Sequence, residues 1–176
     1  MAGSAGFVSM AAWHRLDTAA PADARRLLYE CCGSHAWVDR MLARRPFQSR
    51  AALLSAARDE WFALEPKDWL EAFSRHPRIG DRAVLAARKS GAVGVSEREQ
   101  AGVDGAPDEV LDALRRDNAA YEQRFGYVFI VCATGKRADE MLRLLQARLG
   151  NDPATERRIA ADEQAKITQI RLEKLS

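Results

Sequence analysis

The chain has 176 residues, 47% hydrophobic and 30% charged, with 27 Lys and Arg against 25 Asp and Glu for a net charge of +2. That is an ordinary soluble balance, with length enough to bury a core in one domain. No apolar run approaches the roughly 18–20 residues of a membrane span, and no basic run or aromatic-interleaved patch points to nucleic acid.

Residues 1–12 are expected to form a flexible end ahead of one domain over 13–176. The stretch Met1–Met10 is small and weakly apolar with no basic region, so it does not read as a signal peptide. From Pro21 the pattern is helical almost throughout. Pro21 opens a segment to about Cys32, with Ala24, Leu27, Leu28 and Cys31 at helical spacing. Gly33-Ser34 ends it, and a short helix over about 36–43 runs toward Pro46. Ser49 is placed to cap a helix from Arg50 to about Leu64, whose stripe is Leu53, Leu54, Ala57 and Trp61. Pro66 starts another, with Trp69, Leu70 and Phe73 on one face. The four tryptophans, Trp13 included, read as core. Asp81 is placed to cap a helix to about Arg88, closed by Ser90-Gly91.

Residues 89–108, with four glycines and Pro107, are the least regular stretch. A loop of this length inside a compact domain is usually functional or mobile. A long helix follows from Asp108 to Phe125, with Val110, Leu111, Leu114, Ala120 and Tyr121 apolar, and Gly126 stops it. Tyr127–Ala133 is the one β-rich run, bounded by Gly126 and Gly135. It has no partner strand in the sequence, so it reads as an extended buried segment threaded between helices. Residues 136–149 and 153–175 are helical, separated by the stop–cap–start sequence Gly150-Asn151-Asp152-Pro153. The fold expected is all-α, a helical bundle with one extended segment near 127–133.

Cys31, Cys32 and Cys132 have no metal-ligand spacing and read as buried thiols; no metal site is expected. Among three histidines, His76 stands apart, in Arg75-His76-Pro77-Arg78-Ile79-Gly80 at a helix end. The imidazole suits acid–base work near neutrality, although His-Pro also serves as a plain helix stop. His14 and His35 have no comparable company and read as structural or exposed. Ser96-Glu97-Arg98-Glu99-Gln100 contains the Ser-x-x-Glu form of a capping box. A helix N-terminus also attracts anions, and the Gln100 amide suits a urea or lactam edge. Phe129–Ala133 is either core or a strip whose backbone N–H and C=O groups, with no helical partners, are met by protein, water or ligand. Arg171, on the terminal helix, is either solvated or an inward-facing carboxylate clamp.

Together these blocks resemble the OHCU decarboxylases, enzymes that convert 2-oxo-4-hydroxy-4-carboxy-5-ureidoimidazoline to (S)-allantoin in urate degradation. The likeness rests on His76–Gly80, on Ser96–Gln100 with Ala101-Gly102, and on Asn118–Tyr121 with Arg124-Phe125-Gly126. It continues through Phe129–Ala133 with Gly135, Arg148-Leu149 with Asn151-Asp152, and Arg171-Leu172-x-x-Leu175. The resemblance implies an all-α fold, no cofactor and a homodimer. It places the catalytic histidine at His76, its glutamate at Glu99 and the terminal arginine at Arg171. Substrate contacts would come from Pro77, Ser96, Glu97, Arg98, Glu99, Gln100, Arg171 and the backbone strip Phe129, Ile130, Val131, Cys132 and Ala133. Animal members often end in a peroxisomal Ser-Lys-Leu; this chain ends Glu173-Lys174-Leu175-Ser176, which fits a cytoplasmic enzyme. Two rivals remain open: a non-catalytic helical domain that binds anions or a partner, and a related lyase acting on another ureido or lactam compound.

Overall fold

A computed structural model describes residues 11–80 and 105–175. Within them the chain forms eight helices and no strand, as the all-α expectation requires. The helix expected after Asp81, the stretch 1–10 and most of the 89–108 loop lie outside the described residues. In chain order the helices are α1 (Ala12–Thr18), α2 (Pro21–Cys32), α3 (His35–Ala43), α4 (Arg50–Phe62), α5 (Pro66–Phe73), α6 (Asp108–Phe125), α7 (Ala138–Arg148) and α8 (Pro153–Glu173). No helix among the described residues is long and apolar enough to cross a membrane.

The described residues divide into two compact units: those up to Asp68 together with those from Ile167 onward, and those from Trp69 to Lys166. In the first, α2 ends on Gly33, whose φ of +84° is the left-handed turn that glycine adopts without steric penalty. Ser34 then caps α3, its hydroxyl accepting from the Trp37 N–H at 3.4 Å, and Ser49 caps α4 by accepting from the Ala52 N–H at 3.1 Å. The core is built from Leu16, Leu28, Trp37, Val38, Met41, Leu53 and Trp61, all at most 2% exposed. The Trp37 indole N–H donates to the Ala57 carbonyl at 3.0 Å, so this large ring is buried without leaving a donor unmet.

Helix α1 was not legible in the sequence. Its N-terminal residue has no side-chain cap, and Leu16 alone is buried on it. It is held from afar. The Arg45 guanidinium donates to the carbonyls of Asp17 and Ala19 at 3.0 and 2.7 Å, while the Asp17 carboxylate accepts from the N–H groups of Phe47 and Gln48. Trp13 is half-buried rather than core, lining a small cavity with Leu53, Leu54 and Leu172.

Two apolar stripes differ from expectation. On α5 the buried face is Trp69, Ala72 and Phe73, and Leu70 is 39% exposed. Position 70 lies about 100° around the helix from 69, so the two cannot share a narrow stripe. On α6 the buried residues are Leu114, Asp117, Asn118 and Tyr121, with Ala120 exposed. Polar side chains occupy that face because their partners are there. Asn118 donates to the carbonyls of Ile79 and Leu114, and Asp117 accepts from Arg116 and Gln146.

Candidate active site

His76 sits in the turn that closes α5, where its backbone N–H donates to the Phe73 carbonyl at 3.1 Å. Pro77 follows and cannot continue the helix. The next three residues are tied to α6. Arg78 makes a two-pronged pair with Glu122 at 2.5 and 2.7 Å. The Ile79 carbonyl accepts from Asn118 at 3.1 Å. Gly80 has φ +78° and lies so close to Leu114 that an added Cβ would stand 3.3 Å from the leucine Cβ. Residues 114, 118 and 122 repeat every four positions and so share one face of α6. The sequence after His76 is thus an anchored strap, and the imidazole stands at its fixed end.

The side chain of His76 is half-buried, and its Nε2 lies 2.6 Å from Oε1 of Gln164, a residue with no solvent exposure. Gln164 belongs to the buried side of α8 with Glu156, Ala160, Ala161, Ile167, Thr168 and Leu172. A glutamine among such positions is a buried amide that must find partners.

The neighbouring residue on α8, Glu163, reaches the segment after Tyr127. Its carboxylate accepts from the Cys132 N–H at 2.7 Å, and the Lys136 ammonium donates to the Cys132 carbonyl at 2.8 Å. The strip is therefore gripped at Cys132 through both its N–H and its carbonyl. Burial works against the Glu163 charge. Hydrogen bonds from Lys166 and the Cys132 N–H, with the charges of Lys166 and Lys136, outweigh it and hold the carboxyl below its usual range. His76 and Cys132 are thus fastened to consecutive residues of one helix.

Phe129, Ile130, Val131, Cys132 and Ala133 are all buried, at 7% exposure or less, and the strip pairs with no strand among the described residues. Part of its polar backbone is met by side chains. Arg148 donates to the Ile130 carbonyl at 2.8 Å and lies 4.6 Å from the centre of the Phe129 ring. The same guanidinium pairs with buried Glu156, which also accepts from Asn151 at 2.7 Å and from the Tyr121 hydroxyl. Burial and the bond to Glu156 push the Tyr121 phenol well above its usual value, so it acts as a fixed donor. Tyr121 sets its edge against Phe129 at 5.3 Å. Phe129 is thereby core, enclosed by Arg148 and Tyr121.

Arg171 lies in the first unit. Its Nη1 is 3.5 Å from the Cys31 carbonyl at the end of α2. Such a terminus gathers unmet carbonyls and favours a cation. Cys31 and Cys32 are buried there, and burial lifts each thiol to about 12, so they stay protonated at neutral pH. Cys132 is buried as well. His14 and His35 are exposed, as expected, with His35 stacked on Tyr29 at 4.4 Å.

The structure therefore joins His76 and the strip 129–133 through α8, with half-buried Pro77 beside the imidazole. Ser96, Glu97, Arg98, Glu99 and Gln100 lie outside the described residues. Sequence reasoning missed Gln164, Glu163 and Glu156. The signal available was a set of polar residues at helical spacing among Ala160, Ala161, Ile167 and Leu172.

The family model for OHCU decarboxylase matches residues 17–173. Over 151 residues the chain is 40% identical to the uric acid degradation bifunctional protein TTL of Arabidopsis thaliana, covering 82% of this chain and 45% of that protein. It is 38% identical over 107 residues to the 2-oxo-4-hydroxy-4-carboxy-5-ureidoimidazoline decarboxylase of Amia calva, covering 56% and 55% of the two chains. The chain thus spans about half the length of these two curated relatives. A crystal structure of an OHCU decarboxylase in the presence of (S)-allantoin matches with a TM-score of 0.71 and 36% identity, covering 84% of this chain and 94% of that one. An (S)-allantoin synthase structure at 18% identity has a TM-score of 0.65, a likeness of fold. The chain belongs to the OHCU decarboxylase family.

Proposed function

We propose that this chain decarboxylates 2-oxo-4-hydroxy-4-carboxy-5-ureidoimidazoline to (S)-allantoin and CO2, a step of urate degradation. The observation that carries the reading is the seating of His76. The chain belongs to the family, and His76 is held by a buried amide at the end of a strap pinned along α6. The relatives in Arabidopsis thaliana and Amia calva bear names for this chemistry or its pathway.

The substrate supplies its own electron sink. When the bond to the carboxylate breaks, its electron pair passes into the adjoining ring C=N system and CO2 leaves. The ring nitrogen that accepted the pair takes a proton from solvent. Loss of the hydroxyl proton and delivery of a proton to the neighbouring ring carbon then complete the product. The protein has to hold the carboxylate, steady charge on the ring and protonate one face. His76 is the general acid/base in this reading, and Glu99 shares or orients its proton. Arg171 holds an anionic part of the substrate, its fork suited to a carboxylate. Pro77, Ser96, Glu97, Arg98, Gln100 and the strip 129–133 shape and read the ring and ureido groups. Glu163 and Lys136 already engage the backbone of Cys132, so the strip would act as a rigid wall with its remaining backbone groups turned to the ligand.

The assignment needs no cofactor. A homodimer in the cytoplasm is the setting we propose. The test is to supply freshly made substrate and follow product chirality by circular dichroism. Growth of the (S)-allantoin signal beyond the racemic background supports the reading, and a purely racemic product removes it.

A further inference from the structure

Gln164 plays no part in the expected site, yet its Oε1 lies 2.6 Å from the His76 ring nitrogen that faces α8. An amide oxygen has no hydrogen to give, so the proton between these atoms belongs to the imidazole. Four features limit rearrangement. Gln164 is wholly buried. The turn bearing His76 is bonded to Phe73. The strap beyond it is pinned to Asn118 and Glu122. The adjoining Glu163 is engaged with Cys132.

We infer that Gln164 is a positioning residue that fixes the proton of neutral His76 on Nε2, leaving the lone pair, and hence the basicity, on Nδ1. Which ring nitrogen is basic is set by the bond the other one makes. This rests on the proposed decarboxylation, in which Nδ1 becomes the atom that exchanges protons with substrate. One proton reaches Nδ1 from the substrate hydroxyl, and one leaves Nδ1 for the neighbouring ring carbon. The ring nitrogen that accepted the electron pair takes from solvent the one proton that decarboxylation consumes. The imidazole thus ends each turnover as it began. During the interval the ring is a cation, and the same Gln164 oxygen still accepts from Nε2–H. A hydrogen bond to a charged group is stronger than one to a neutral group, so Gln164 also favours the protonated intermediate.

The experiment is nitrogen NMR on full-length protein with labelled histidine, the His76 signals being assigned by their loss in His76→Asn, alongside steady-state kinetics. Wild type should show Nε2 protonated and Nδ1 unprotonated when the ring is neutral. Gln164→Met keeps the bulk but removes the acceptor. It should mix the two tautomers and lower kcat about ten- to hundredfold, the loss of one hydrogen bond to a group that becomes charged. KM should change much less, because the amide acts through the imidazole. Gln164→Glu restores an acceptor and should return the Nε2–H form while shifting the pH profile of kcat upward. A wild-type spectrum with the proton on Nδ1 overturns the inference, since Gln164 would then be donating. So does a Gln164→Met protein whose tautomer and kcat match wild type. If the variants fail to fold, the wild-type spectrum alone decides. An Nε2–H wild type that gives no optically active allantoin supports the tautomer assignment and contradicts the proposed reaction.

Discussion

Arg148 and Glu156 form an ion pair withdrawn from water: the Arg148 Nε and Nη2 lie 2.8 and 2.6 Å from one carboxylate oxygen, and the side chains are 9% and 0% exposed. Burying two charges is unfavourable unless their remaining hydrogen-bonding capacity is met. Here Ile130, Asn151 and Tyr121 meet it. The pair therefore fixes the strip and joins it to α6, α7 and α8.

Arg148→Met leaves the Glu156 carboxylate buried without its cation and is expected to destabilise the protein by about 3–5 kcal/mol. Replacing both residues together, with Glu156→Leu, should be milder than the sum of the single changes. Urea unfolding of the four proteins measures this directly. Additive effects would mean that the two residues act independently.

Gly80 and Gly135 share a left-handed backbone, with φ of +78° and +80°, but only Gly80 meets a neighbour, Leu114. Gly80→Ala combines backbone strain with a tight contact and should reduce stability by about 1–3 kcal/mol. Gly135→Ala has open space around its new Cβ and should reduce it less. Thermal unfolding ranks the two. The reverse order would show that the strap does not pack against Leu114 of α6.

The helices were legible where the chain carries its own stops and starts. Gly33, Ser49, Pro66, Gly126 and Pro153 each mark a boundary within two residues of the observed one, because the constraint is local to the residue. Helix α1 was not legible, since the groups that hold its end, Arg45, Phe47 and Gln48, lie some 26 to 31 residues away. Buried polar positions were hidden for the same reason. Asn118, Glu156 and Gln164 look like solvated helix faces until Ile79, Arg148 and His76 are brought to them. His76 itself was legible because an imidazole before a proline, among arginines, is scarce in a chain with three histidines.

Glu163 gives a pH dependence. Its carboxyl is held below the ordinary 4.5, so its contribution to stability is present above about that pH and is lost as pH falls through the lower, folded-state value. Glu163→Gln should accordingly be less stable than wild type at neutral pH, with the difference narrowing on acidification below 4.5. Unfolding curves across that range test this. A difference that stays constant down to the acid limit would mean the charge is not what grips Cys132.

Cys31 and Cys32 should resist modification in the folded protein, because the thiolate is the reactive form and burial lifts both thiols to about 12. A thiol reagent at mild alkaline pH should label them slowly until denaturant is added. Rapid labelling of the native protein would show that the end of α2 opens readily.

If His76 moves the proton that sets product chirality, circular dichroism of allantoin formed from fresh substrate is the most direct measurement of its role. His76→Asn and His76→Ala should remain folded and lose about 10²–10⁴-fold in the rate of (S)-allantoin formation, the usual contribution of a general acid or base. His35→Ala changes an exposed ring stacked on Tyr29 and should leave the rate close to wild type. Uncatalysed decarboxylation yields racemic allantoin, so the optical signal isolates the enzymatic route. His76 variants that still make one enantiomer at near wild-type speed would reduce His76 to a helix-end residue and contradict its role as the general acid/base.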